Sequence, residues 1–240
     1  MMTDSNKPIK KRKIDSISKK YSKTGRSKAI FGAPQKGTEL KYFDGTIALT
    51  DLSSTGTILP TSGSMNLVDV GVGTNQMIGS KIWIKSIEIK GRLVLDSDTD
   101  ATTGAIDNAN VYRFALVLDH QANGAAAAPI NVYASQSGST GTLVGRNIEY
   151  QKRFTVLKEW YGALNSPITF NSTLGQYSSG KVYKTLKYFK KCNILVDFSD
   201  QVGGTRSITE ITSNNLFIVG YSILTLAVDS QFYWRIRYTD

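Results

Sequence analysis

The residues able to do chemistry are few and scattered along the chain. His120 is the sole histidine and Cys192 the sole cysteine, so neither a multi-histidine metal centre nor an intramolecular disulfide can be built. Cys192 lies on the inward parity of an apolar alternation with Ile194, Val196 and Phe198, where a thiol acts as a small hydrophobe rather than a nucleophile. Asp96-Ser97-Asp98-Thr99-Asp100 opens like a calcium loop of the EF-hand type. Position six, however, is Ala101 instead of glycine and position twelve is Asp107 instead of glutamate, where the geometry is demanding. A solvated loop is the better reading, with a weak calcium site between subunits left open. Gly71-Val72-Gly73-Thr74-Asn75 lacks the third glycine and the lysine of phosphate-cradling loops. Asn171-Ser172-Thr173 is a glycosylation sequon, relevant only to a chain that enters the secretory pathway. No carboxylate pair or nucleophile–base set stands out, so the expected role is non-enzymatic, with no catalytic residue, cofactor or metal.

The sequence does concentrate positive charge. Residues 1–36 hold eleven lysines and arginines against Asp4 and Asp15, which places +9 of the formal +10 in that segment. The remainder is nearly neutral. A charge so placed points to an anionic partner. Lys10-Lys11-Arg12-Lys13, just after Pro8, is a run of the kind read by nuclear import receptors. Lys19, Lys20, Lys23, Arg26 and Lys28 follow as a phosphate-neutralising group. Nine cations engaged on a single strand would give a log K against log salt slope of about −6. The bland alternative is a solubilising tail. With few large apolar side chains to offset an ordering cost of about 1–2 kcal/mol per residue, residues 1–36 are predicted to be a disordered arm. No apolar run approaches the ~18 residues that span a bilayer, and the basic N-terminus has no apolar signal core. A soluble, intracellular body without membrane insertion is expected.

Residues 37–240 must supply whatever positions this arm. Their β-branched and aromatic residues alternate with polar ones between turn-rich stretches, the period of strands. Strands are predicted at 40–49, 81–95, 111–119, 150–157, 190–198, 216–228 and 232–238. In 81–95 the apolar parity switches near Lys85-Ser86, which calls for a bulge. The stretch 216–228 is apolar on both faces, as in a covered central strand. The last strand turns Phe232, Trp234, Ile236 and Tyr238 inward, leaving Arg235 and Arg237 on the outward face as candidate nucleic-acid contacts. Lys184, Lys187, Lys190 and Lys191 are candidates to join them, the alternative being a solvated face. The fold class is all-β: a single eight-stranded jelly-roll β-sandwich behind a disordered basic N-terminal arm. An immunoglobulin-like sandwich is the rival, and would show shorter loops and more regular spacing.

Four stretches together resemble a known family: the Lys10–Lys13 arm, Lys81-Ile82-Trp83-Ile84-Lys85-Ser86-Ile87, Tyr112–Gly124 with its Leu118-Asp119-His120-Gln121 turn, and Arg153-Phe154-Thr155-Val156-Leu157-Lys158-Glu159. Their order is similar to that of capsid proteins of small circular single-stranded DNA viruses, the circovirus-like, Rep-encoding group, over most of 38–240. The arm here is richer in lysine than the arginine-rich arms of many such relatives. The resemblance implies a virion protein that self-assembles as one subunit type into a small T=1 icosahedral shell. It also implies a single-stranded DNA genome as partner, the arm inside, and a nuclear phase of assembly using a host import receptor. The host attachment receptor is unknown. Two alternatives stay open: the capsid of a small RNA satellite virus, and a cellular nuclear nucleic-acid-binding β-sandwich.

Overall fold

The alternation of apolar and polar side chains is realised as two antiparallel sheets packed face to face. The structure, a computed structural model, describes residues 39–95, 109–134, 141–166, 168–171, 176–179, 182–199, 204–223 and 228–240, with backbone alone for 168–171 and 176–179. The described residues belong to one compact unit, Glu39–Asp240. The first sheet contains β1 (Lys41–Asp51), β3 (Lys81–Leu95), β8 (Val182–Phe198), β9 (Ile211–Ser213) and β11 (Val228–Thr239), in the order β1-β11-β3-β8-β9. The second has β2 (Thr57–Leu59), β4 (Ala109–Asp119), β5 (Phe154–Asn165) and β10 (Asn215–Ser222), in the order β2-β10-β4-β5. A separate hairpin pairs β6 (Ile168–Asn171) with β7 (Gln176–Ser179). Chain-distant strands thus lie side by side in both sheets, the jelly-roll pattern of crossing connections.

The expected bulge is present. Ser86 pairs with Arg237 and Ile84 with Tyr238, so Lys85 is an extra residue against β11. The pleat therefore shifts phase, and Ile82 and Ile84 reach the same core as Ile87, Ile89, Leu93 and Leu95. Phe114 on β4 meets Phe232 on β11 edge-on across the two sheets, ring centres 5.2 Å apart. Trp234 is buried with its indole N–H donating to the Met65 carbonyl at 2.8 Å. Its ring occupies the space above Gly45, where an added Cβ would lie 2.0 Å from a ring carbon.

Several predicted boundaries move. The stretch 150–157 begins as a strand only at Phe154, because residues 150–153 form a turn, and it continues to Asn165. The strand predicted at 190–198 starts already at Val182. The stretch 216–228 is not one strand: β10 ends at Ser222 and Val228 opens β11. Its two-sided apolar character is real within β10, which places Leu216 and Ile218 in the main core and Phe217, Val219 and Tyr221 in a second one. That second core has a cover, the segment containing the short helix α1 (Pro129–Val132), whose Ala127, Val132 and Tyr133 pack on Ala115 and Val117 of β4. Arg113 clamps the cover. Its guanidinium lies 3.7 Å from the Tyr133 ring centre and bonds Glu159 at 2.6 Å and the carbonyls of Gly141 and Val144. The described residues 127–133, between two strands, thus form part of the packed interior. Among the described residues, no helix is long and apolar enough to cross a membrane.

Candidate nucleic-acid interface

The face of the five-stranded sheet turned away from the core gathers several of the exposed cations among the described residues. On β11 the pleat turns Tyr233, Arg235 and Arg237 outward, as expected from their parity. On β3, after the bulge, it turns Glu88, Lys90 and Arg92 the same way. Register carries the face across to β8, where Phe189 lies opposite Glu88, Lys187 opposite Lys90, and Lys191 opposite Ser86. The four β8 lysines therefore split. Lys187 and Lys191 join Arg235 and Arg237, while Lys184 and Lys190 sit opposite Leu93 and Ile87, on the other parity. The expectation that all four share one surface is corrected by the two-residue period of the strand.

Two of these cations are already balanced. Arg235 makes a two-pronged contact with Asp44 of β1, at 2.7 Å to each oxygen, with its guanidinium 5.0 Å from the Tyr42 ring centre. The hydrogen bonds from Arg235 hold the Asp44 carboxyl below its usual range, against the opposing pull of burial. The same contact pushes the Arg235 guanidinium up. Lys90 bonds Glu88 at 2.8 Å, lowering the Glu88 carboxyl in turn, and stands 5.8 Å from the Tyr233 ring centre. Among the described residues Arg92 bonds a neutral partner on this face, Gln231, at 3.1 Å, with its guanidinium 5.7 Å from the Tyr183 ring centre. Lys187, Lys191 and Arg237 are exposed. At its far end the face turns acidic, where Asp51 lies opposite Asp229.

Two shallow hollows open on this face. One, of about 250 Å³, is lined by Thr46, Lys90, Arg92, Gln231 and Tyr233 among others. The other, of about 300 Å³, lies between Glu88, Lys90, Lys187 and Phe189. Lys90 borders both. The Phe189 ring is 56% exposed, flanked two residues away on each side by Lys187 and Lys191. An exposed ring between cations suits a chain that alternates phosphates with flat bases, because every base has a π-face and no base-specific donor is required. Sequence reading found Arg235 and Arg237 here but missed Lys90, Arg92 and Phe189. The Glu88-Lys90-Arg92 alternation was a readable signal once the bulge had set its parity.

The remaining candidates have structural surroundings. Both His120 ring nitrogens are bonded, to Asn214 and Thr155 at 2.9 Å each, tying β4 to the neighbouring segments. Cys192 is half-buried against the core, and burial pushes its thiol up. Asp119 is fully buried and held by both prongs of Arg153 at 2.8 Å. Among the described residues, no cluster of His, Cys, Asp and Glu could hold a metal ion. Lys10, Lys11, Arg12, Lys13, Lys19, Lys20, Lys23, Arg26 and Lys28 lie outside the described residues, as does the Asp96–Asp107 loop.

Comparison with known proteins adds one finding. The model of the Geminivirus coat protein/nuclear export factor BR1 family matches residues 3–240. No curated protein matches the chain.

Proposed function

The chain belongs to the geminivirus coat protein/nuclear export factor family, a family of single-stranded DNA virus coat proteins, and we propose that it encloses a single-stranded DNA genome in a small icosahedral shell. In this reading the basic arm, residues 1–36, neutralises the phosphates of the packaged strand. The outward face of the five-stranded sheet lines the interior and receives the strand beside it. Lys10, Lys11, Arg12 and Lys13 engage a host import receptor, giving assembly a nuclear phase. The family match supports the coarser part of the resemblance, a single-stranded DNA virus coat protein, and the circovirus-like, Rep-encoding assignment stays a proposal drawn from the sequence. The role is structural rather than catalytic.

The observation that carries the reading is the cation–aromatic face built by β11, β3 and β8. Among the described residues Lys187, Lys191 and Arg237 are exposed cations of this face without a carboxylate partner, and Lys187 and Lys191 flank the exposed Phe189 ring on β8. That arrangement favours a flexible polyanion with exposed bases over a folded acidic protein. The charge partition supports it too, since +9 on one terminal segment suits neutralisation of a confined strand.

The test is negative-stain microscopy of full-length protein and of a variant lacking residues 1–36, each with and without single-stranded DNA. Uniform round particles, with DNA retained only when the arm is present, are expected. Small soluble oligomers under every salt and pH condition would overturn the shell. Equal retention of single-stranded RNA in competition would move the cargo assignment towards an RNA virus.

A further inference from the structure

The ladders arrange the outward face of the five-stranded sheet in rows that cross it. In the middle row Asp44 pairs with Arg235, Arg235 with Glu88, and Glu88 with Phe189. The row on one side runs Tyr42, Arg237, Ser86 and Lys191, and the row on the other Thr46, Tyr233, Lys90 and Lys187. Phe189 and Glu88 are therefore neighbours on adjacent strands, with lysines in the rows to either side. Lys187 and Lys191 each stand about 7 Å from Phe189 along β8, two residues at ~3.4 Å apiece.

The two carboxylates of the middle row differ. Asp44 has both oxygens held by the prongs of Arg235. Glu88 receives Lys90 on Oε1 at 2.8 Å, and among the described residues no second donor bonds its carboxylate. The bond from Lys90 lowers the Glu88 carboxyl, so near neutral pH both oxygens act only as acceptors. The hollow of about 300 Å³ lies between this carboxylate, Lys90, Lys187 and the exposed Phe189 ring. That is the lower end of the range for small-ligand sites, ~300–1,000 Å³, and suits a single base.

We infer that this hollow is a guanine-preferring nucleotide subsite, in which the base stacks on Phe189, turns its Watson–Crick edge to Glu88, and has its flanking phosphates met by Lys187 and Lys191. The inference rests on the strand-binding reading of this face. Stacking does not choose among the bases, since each has a π-face. The edge does choose. Guanine presents two adjacent donors there, N1–H and the N2 amino group, and a carboxylate accepts both. Adenine and cytosine each present one amino donor beside a ring-nitrogen acceptor, which a carboxylate repels. Thymine presents a single N3–H between two carbonyl oxygens. On a partly exposed side chain such a two-donor contact lies at the weak end of base discrimination, about fivefold.

Full-length protein, below its assembly concentration, is titrated by fluorescence anisotropy with three oligonucleotides of equal length: oligo-dT, and oligo-dT with every third base replaced by dG or by dA. The dG oligonucleotide is expected to bind about fivefold more tightly than the dA one, which controls for the larger stacking area of a purine. Deoxyinosine in place of dG keeps the ring and N1–H but lacks the N2 amino group, and should remove most of that advantage. Glu88→Gln should bind oligo-dT more tightly, having lost a negative charge, while its dG and dA affinities converge. A misfolded variant would not produce those opposite changes. Equal dG and dA affinities in the wild type, or an advantage that survives in Glu88→Gln, would overturn the subsite. If Lys187→Ala then still flattens the salt dependence, the strand-binding face stands; if it does not, the face falls with the subsite.

Discussion

The split between free and balanced cations on the sheet face leads to a quantitative expectation for DNA binding. Each cation that displaces a counterion from a single strand contributes about 0.7 to the log K against log salt slope. Lys187 and Lys191 are exposed on the face, whereas Arg235 is already held by both oxygens of Asp44. Lys187→Ala should therefore flatten the slope by about 0.7, and Lys187→Ala with Lys191→Ala by about 1.4. Arg235→Ala should change it by much less, because it removes a charge that Asp44 neutralises. Asp44→Asn should steepen it by about 0.7, releasing Arg235 to the strand. Between 50 and 200 mM salt, one such contact amounts to roughly a 2.5-fold difference in how far affinity falls. Phe189→Ala separates stacking from charge: affinity should drop by about 1–3 kcal/mol with the slope unchanged. The assay is fluorescence anisotropy of a labelled oligo-dT with full-length protein, at concentrations below assembly. If Arg235→Ala costs as much slope as Lys187→Ala, and Asp44→Asn leaves binding untouched, the assignment of free and balanced cations is wrong.

Other consequences follow from the packing. Arg153→Ala should destabilise the fold by about 3–5 kcal/mol in urea unfolding, because it strands the fully buried Asp119 carboxylate; a loss under 1 kcal/mol would mean that water replaces the guanidinium. Gly45→Ala should cost about 1–3 kcal/mol, since its Cβ displaces the Trp234 ring and strains the indole bond to Met65. Tryptophan fluorescence during the same unfolding should report the altered ring environment. Burial pushes the Asp240 carboxyl up, but the hydrogen bonds from Lys41 and the Ile78 N–H outweigh it and leave the group below its ordinary 3.8. A lowered folded pKa stabilises fully above the ordinary value, and that contribution is lost as pH falls through the folded one. Asp240→Asn should therefore melt below wild type at neutral pH, with the gap closing under about pH 4; a gap independent of pH would show that the pair adds nothing through its charge.

Much of this protein follows from local pattern. The pleat has a period of two, so parity alone sorted Phe232, Trp234, Ile236 and Tyr238 inward and Arg235 and Arg237 outward. The same rule located the Lys85 bulge, because two apolar parities in one strand reach one core only if a residue is inserted between them. The concentration of charge in residues 1–36 is likewise a property of the chain itself. Pattern failed where one run served two strands. In 216–228 both segments are buried, so hydrophobicity alone left the end of β10 at Ser222 unmarked. It also failed where a loop became interior, as the 127–133 cover did on finding Arg113, Ala115 and Val117 beneath it.

Neighbourhood was decided by the tertiary structure. Asp44 and Arg235 are 191 residues apart in sequence, and only the pairing of β1 with β11 makes one the counterion of the other. Phe189 meets Glu88, and Lys187 meets Lys90, because β8 pairs with β3 in one register; a slip of one residue would have put Lys184 and Lys190 on the face instead. Side-chain direction along a strand is set by neighbours in the chain. Which strands lie together, and at what height, is set by burying both sheets at once, a condition satisfied only by the whole fold.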